Sequence, residues 1–212
     1  MRETLDRAAR ELGLNLGDAQ LDQLLAYLAL LQKWNKVYNL TAVRDPAQML
    51  SHHLIDSLSV IAPLRRHGAP VRLMDVGAGG GLPGVVIAIC CPGTDVTCVD
   101  AVAKKATFIQ QVAAELKLPN LHGVHSRVEQ LDAEPFGVIT SRAFASLVDF
   151  TSLTRQLLDS SQEGGAVWMA MKGQHPADEI AALPADVDAF HVEQLAVPGL
   201  DAHRCIIWMR PR

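Results

Sequence analysis

No stretch of this chain is apolar for long enough to cross a bilayer, and its first residues, MRETLDRAARE, are charged throughout. The sequence is therefore expected to be soluble and cytoplasmic, with no membrane partner. Cysteine is scarce and badly spaced for a metal. Cys90, Cys91, Cys98 and Cys205 form no CxxC or CxxH pair, which excludes a zinc knuckle, and no metal site is expected. Each lies in an apolar setting (VVIAICC, VTCVD, RCIIWM) and reads as a reduced core thiol. A basic excess is missing too. With 19 Lys and Arg against 23 Asp and Glu the net charge is −4, which argues against a non-specific coat on nucleic acid. The deficit is uneven: the balance is +1 over residues 1–70 and −5 over residues 71–212. Internal repeats and low-complexity segments are absent as well.

What is present is globular: 49% hydrophobic and 20% charged residues over 212 positions, enough for one buried domain with an appendage. Residues 3–64 read as successive helices. Leu21, Leu24, Leu25, Leu28 and Leu31 recur at spacings of three and four, with Asp18 in the place of an N-cap. A second run starts at Pro46 and carries Met49, Leu50, Ile55, Leu58 and Ile61 before Pro63 and Gly68 break it. From Val71 onward short β-rich runs alternate with helical ones: VRLMDVG, a helix from Leu82, DVTCVDA, a helix over 103–117, then LHGVHS, GVITSRA and GGAVWMAMKG. Such alternation specifies an α/β fold with a parallel sheet. The last two runs, AFHVEQLAV and HRCIIWMR, are joined by only PGLDAH and must pair antiparallel. A mostly parallel, Rossmann-like sheet ending in an antiparallel C-terminal hairpin is the outline of a class I methyltransferase. We expect an N-terminal helical cap over residues 1–68 and a sheet domain over residues 69–212.

The sharpest local feature is Asp75-Val76-Gly77-Ala78-Gly79-Gly80-Gly81-Leu82-Pro83-Gly84, where four glycines fall within five residues between a strand and a helix. Glycine admits positive φ and lets a ligand lie against bare main chain. The spacing Asp75-x-Gly77-x-Gly79-x-Gly81 is that of S-adenosylmethionine enzymes, yet Gly79, Gly81 and Gly84 also satisfy the dinucleotide fingerprint GxGxxG. Asp100, at the end of the next strand, stands where either class places an acid on the ribose; it could equally cap the following helix. An acid before the glycines favours the methyltransferase, as does Pro83, since a pyrophosphate is better served by free N–H groups.

The segments YNLTAVRDPAQML (Tyr38–Leu50), HLIDSL (His53–Leu58), LMDVGAGGGLPG (Leu73–Gly84), SRVEQL (Ser126–Leu131), SRAFASL (Ser141–Leu147) and MKG (Met171–Gly173) resemble the successive signatures of the RsmG/GidB family. That family comprises bacterial enzymes that methylate a guanine at N7 in 16S ribosomal RNA, so the resemblance implies S-adenosyl-L-methionine as cofactor and 16S rRNA or the small subunit as partner. It further implies that Gly77, Leu82, Val128, Glu129 and Arg142 line the cofactor; the loop spacing and the neighbouring strand end add Gly79, Gly81 and Asp100 as cofactor candidates. Val128 would face the adenine, with Glu129 beside it. One departure stands out: members carry Asp after the phenylalanine of Pro135-Phe136, where this chain has Gly137.

Guanine N7 has a lone pair and no proton, so its attack on a methyl donor needs positioning and no general base; no catalytic acid or base is expected. Two absences agree. After the fourth strand the chain reads Ile139-Thr140-Ser141-Arg142 instead of the Asn/Asp-Pro-Pro-aromatic loop of exocyclic-amine methylation, and none of the cysteines lies there for attack on a pyrimidine ring. Arg142, at a strand end on the ligand side of the sheet, could bind a carboxylate or an RNA phosphate, or form a surface ion pair. Lys172 has the same logic. Arg44 and His53 are further substrate-binding candidates, with His52 beside them. Adjacent helical residues diverge, so the two histidines are not expected to serve one ligand, and either could be plain polar surface. Trp34, Tyr38 and Asn39 could stack on a base, but Trp34 continues the leucine face and reads as core, as do Trp168 and Trp208. Nothing calls for more than a monomer. Three rivals remain at this stage: a small-molecule methyltransferase on the same fold, a dinucleotide-dependent oxidoreductase, and a non-catalytic RNA-binding factor.

Overall fold

Alternate residues of the β-rich runs point to opposite faces, and both faces are apolar, which is what a sheet covered on two sides requires. The computed structural model describes residues 1–212 except 69, 145, 160 and 162–164. Ala69 at the expected domain boundary, Ala145 of SRAFASL and Gly164 of GGAVWMAMKG lie outside the described residues. The strands are β1 (Arg72–Val76), β2 (Asp95–Asp100), β3 (Leu121–His125), β4 (Val138–Ser141), β5 (Val167–Lys172), β6 (Val187–Leu195) and β7 (Arg204–Pro211). They form one seven-stranded sheet in the order β3-β2-β1-β4-β5-β7-β6. β1 to β5 pair in parallel; β7 enters antiparallel between β5 and β6. The order reverses between β1 and β4, the switch point at which open α/β sheets bind ligands beyond the strand ends.

Helices α1 (Arg2–Glu11), α2 (Asp18–Tyr38), α3 (Pro46–Met49), α4 (Asp56–Leu58) and α5 (Ile61–His67) precede the sheet. Between β1 and β2 lies α6 (Gly84–Cys90), between β2 and β3 α7 (Ala103–Glu115), after β4 α8 (Leu147–Thr154), and after β5 the short α9 (Ala177–Ala181). One apolar cluster joins Leu24, Leu28 and Leu31 of α2 and Leu54, Leu58 and Ile61 of the following helices to Leu73, Val85, Ile87 and Phe108. The N-terminal helices thus share their core with α6, α7 and one face of the sheet. The other face packs Met74, Ile139 and Trp168 against Leu147 and Phe150 of α8. All four cysteines are free and buried. Trp168 is fully buried, with its indole N–H donating to Thr154 Oγ1 at 2.8 Å.

Four local expectations need correction. Gly17, not Asp18, is the N-cap of α2: its N–H donates to Gln20 Oε1 at 3.2 Å, which leaves Asp18 in the first turn to pair with Arg2 at 2.7 Å. Pro63 does not break a helix. It lies in the first turn of α5, where an N–H is not needed, and the helix ends at Gly68 with φ 96°. The run from Pro46 is also not a single α-helix, because Leu50–Ile55 is π-helical. The helix expected from Leu82 begins at Gly84, with Pro83 in the N-cap place.

Candidate cofactor and substrate cavities

The glycine loop is built from below. Asp75 lies fully buried at the end of β1 and accepts from the Gly84 N–H at 2.8 Å, pinning the start of α6. Burial pushes its carboxyl up to about 7. Gly77 and Gly79 take φ of 66° and 58°, a region that favours glycine. Gly81 (φ 89°) is also sterically committed, since a Cβ there would come within 2.4 Å of Val85 Cγ2. From the other side, the buried Tyr27 of α2 donates its hydroxyl to the Gly80 carbonyl at 2.6 Å. Sequence reading took the apolar face of α2 as packing alone and missed that one of its residues holds the loop.

Beyond the ends of β1, β2 and β3 lies a cavity of about 340 Å³ lined by Gly77, Asp100, Val128 and Glu129, with Ser126 and Phe144 among the other walls. Four of the expected cofactor residues therefore meet in one place. Nothing lies within 4 Å of the Cβ position of Gly77, so main chain faces open space there. Asp100 accepts from the Gly79 N–H and the Val102 N–H, both at 2.9 Å, and Lys105 Nζ stands 3.6 Å away. It thus both ties the loop and caps the turn into α7, while each carboxylate oxygen keeps a further lone pair for a hydroxyl. Bare backbone, an acid and the apolar Val128 suit the ribose and adenine of S-adenosylmethionine. Leu82, expected at this surface, packs into the apolar core, and neither it nor the buried Gly81 lines either cavity.

A second cavity, of about 510 Å³, opens past the ends of β4 and β5. His52, His53, Asp56, Arg142, Lys172 and Arg204 line it, and Phe144 is common to both cavities. Arg142, expected on both cofactor and substrate, lines this cavity, with its NH1 3.3 Å from the His52 carbonyl and 3.7 Å from Asp56 Oδ2, and its charge also bears on Asp75 and Tyr27, which hold the glycine loop. Lys172 Nζ donates to both oxygens of Glu179, at 2.8 and 3.0 Å. His53 is not polar surface: only 6% of it is exposed, its Nε2 pairs with Thr41 Oγ1 at 2.7 Å, and its buried Nδ1 has no partner among the described residues. Burial, assisted by the Arg142 charge, holds its imidazole down at about 4. Both histidines, on the π-helical turn, border this cavity, His52 from the exposed side and His53 from the buried one. Arg44 is not brought here; it donates to Asn39 Oδ1 at 3.2 Å and lines a separate hollow with Lys36. Trp34 stacks near Tyr38 and Phe108, at centroid distances of 5.1 and 5.4 Å.

Asp56 and Arg204 are the cavity residues that sequence reading missed. Asp56 is 2% exposed; burial raises its carboxyl, and the two arginines oppose that rise. Arg204 Nε donates to Asp56 Oδ1 at 2.8 Å across 148 positions of sequence. The only advance signal was Asp56 inside HLIDSL, an acid in an otherwise apolar helical run.

Comparison with known proteins agrees with this architecture. The family model GidB, described as rRNA small subunit methyltransferase G, matches residues 20–207. A ribosomal RNA small subunit methyltransferase G of Acidovorax ebreus (strain TPSY) is 62% identical over 221 residues, covering 100% of this chain and 96% of that protein. One from Leptothrix cholodnii is 64% identical over 213 residues, with the same coverage. Among solved structures, an O-methyltransferase from Bacillus cereus in complex with SAH is similar with a TM-score of 0.58 at 16% identity, covering both chains fully. TrmN from Thermus thermophilus has a TM-score of 0.58 at 18% identity over 74% of this chain and 49% of its own. At such identities the likeness speaks for the fold.

Proposed function

The chain belongs to the GidB family of small-subunit rRNA methyltransferases, and from that membership we propose that it methylates N7 of one guanine in 16S rRNA, using S-adenosylmethionine. The observation that carries this reading is the pair of adjoining cavities past the strand ends, one suited to a nucleoside and one cationic, with Phe144 between them. In this reading residues 69–212 are the methyltransferase unit and residues 1–68 its cap.

When bound, S-adenosylmethionine supplies an electrophilic methyl group. Gly77, Gly79, Asp100, Val128 and Glu129 would hold it. The target nucleotide would enter the second cavity, where Arg142, Arg204 and Lys172 face its phosphates. The titratable groups here suit an acceptor that has no proton to lose. His53, held near 4, is a weak base, and Asp56 is committed to two arginines. N7 needs only alignment, which the walls supply by holding the base and its backbone. Among the described residues no helix is long and apolar enough to cross a membrane.

The test is methyl transfer to small-subunit RNA in which guanosine is replaced by 7-deazaguanosine, whose ring carries C–H in place of N7. Unmodified RNA should accept label and the deaza RNA should bind equally yet accept none. Equal labelling of both would refute N7 as the acceptor, and absence of label in the unmodified RNA would refute the RNA assignment.

A further inference from the structure

Two guanidinium groups from distant strands line one cavity, and like charges so placed repel and turn to solvent unless something holds them. Arg142 follows the end of β4 and Arg204 opens β7. Between them stands one buried carboxylate, with Oδ1 at 2.8 Å from Arg204 Nε and Oδ2 at 3.7 Å from Arg142 NH1. Lys172 is already neutralised by Glu179, so among the charged side chains lining the cavity this pair and its shared acid leave one net positive charge. Each guanidinium has five N–H donors. The contacts described use Nε and NH1 of Arg204 and NH1 of Arg142, so further donors remain on both side chains.

We propose that Asp56 is a positioning residue: it locks Arg142 and Arg204 into one rigid clamp for the phosphate backbone of the target nucleotide. The inference rests on the rRNA methyltransferase reading above. It deepens that reading by giving the helical segment a part in the chemistry, since Asp56 follows directly on the π-helical turn whose His52 carbonyl takes the other bond from Arg142. Phosphate is the ligand the geometry favours over the base. Arginine reads guanine by donating to O6 and N7, and a donor on N7 would tie up the lone pair that must attack. A planar fork pre-set by a buried acid loses little side-chain freedom when it meets a phosphate, and precise placement of the nucleotide is what an uncatalysed-base mechanism depends on.

Charge counting and positioning predict opposite outcomes for Asp56→Asn. Removing the negative charge makes the cavity more cationic, so a purely electrostatic role gives tighter RNA binding with at least wild-type turnover. A positioning role gives RNA affinity within about threefold of wild type or tighter, unchanged affinity for S-adenosylhomocysteine by calorimetry, and a kcat at least about tenfold lower. Combining Asp56→Asn with Arg204→Ala should cost no more than about threefold beyond the worse single variant, because both disable one unit. Arg204→Lys, at a partly exposed side chain, keeps the charge without the fork; its kcat should fall to a similar extent. A kcat for Asp56→Asn within about twofold of wild type, or losses that multiply in the double variant, would overturn the clamp. If Asp56→Asn does not accumulate folded, Arg204→Lys decides, and wild-type turnover there overturns the proposal. Failure of the wild-type protein to methylate small-subunit RNA would instead overturn the functional reading on which the clamp rests.

Discussion

Replacing Tyr27 by phenylalanine removes one oxygen atom from the interface between α2 and the glycine loop and changes little else. That hydroxyl donates to the Gly80 carbonyl at 2.6 Å in a fully buried setting, and burial pushes its pKa well above the usual phenol value, so it stays a donor. The carbonyl cannot recover the bond from water. Leaving a buried acceptor unpaired costs about 1–3 kcal/mol, and for a chain of this length each kcal/mol lowers Tm by roughly 2–4 °C. A fall of roughly 2–12 °C in a thermal melt is therefore expected. The informative readout is a second one. If the bond fixes the loop for its ligand, part of the same free energy must be supplied on binding, and S-adenosylhomocysteine should bind up to roughly tenfold more weakly, a factor of ten being about 1.4 kcal/mol. Calorimetry on both proteins measures it. A lower Tm with unchanged ligand affinity would refute the claim that α2 positions the loop; no change in either would refute the hydrogen bond.

Three more outcomes follow from the same geometry. Gly81→Ala combines a φ of 89° with a 2.4 Å clash on Val85, and should cost about 2–4 kcal/mol and most of the cofactor affinity, whereas Gly93→Ala, with nothing within 4 Å, should melt within a degree or two of wild type. Asp75 is raised by burial to about 7 in the fold against about 4 unfolded. Its contribution to stability is full below about pH 4 and is lost as pH rises through about 7. Asp75→Asn, which never ionises but can still accept from the Gly84 N–H, should gain on wild type across that window in urea titrations; parallel curves would contradict the burial argument. RNA binding should weaken steeply with salt, and Arg142→Ala should reduce the slope of log K against log salt by about 1. An unchanged slope would place Arg142 away from the phosphates.

Much of the fold was legible because hydrophobic period and glycine density are local signals. The strand runs from Val71, the helix over 103–117 and the terminal antiparallel pair all appear where alternation and loop length put them. Asp100 could be placed in advance by its position at a strand end, while Gly77, Val128 and Glu129 were gathered by the family resemblance of their motifs; all four line one cavity. The cationic cavity was only half legible. Arg142, His53 and Lys172 were candidates one by one, but the Asp56–Arg204 bond spans 148 positions and leaves no periodic trace. The π-helical turn was invisible for another reason: a single widened turn barely disturbs a leucine pattern, and the buried His53 beside Thr41 lies within it. Tyr27 carried no signal of its own in the sequence; it is as buried as the leucines around it while spending its one polar atom on the loop.

The most direct measurement is transfer of labelled methyl from S-adenosylmethionine to small subunits taken from a strain lacking this gene, followed by digestion and mass spectrometry of the nucleosides. The account predicts a single 7-methylguanosine in 16S rRNA, and no incorporation when wild-type subunits are the acceptor. Label on any other base or atom, or none in RNA despite binding of the cofactor, would contradict it.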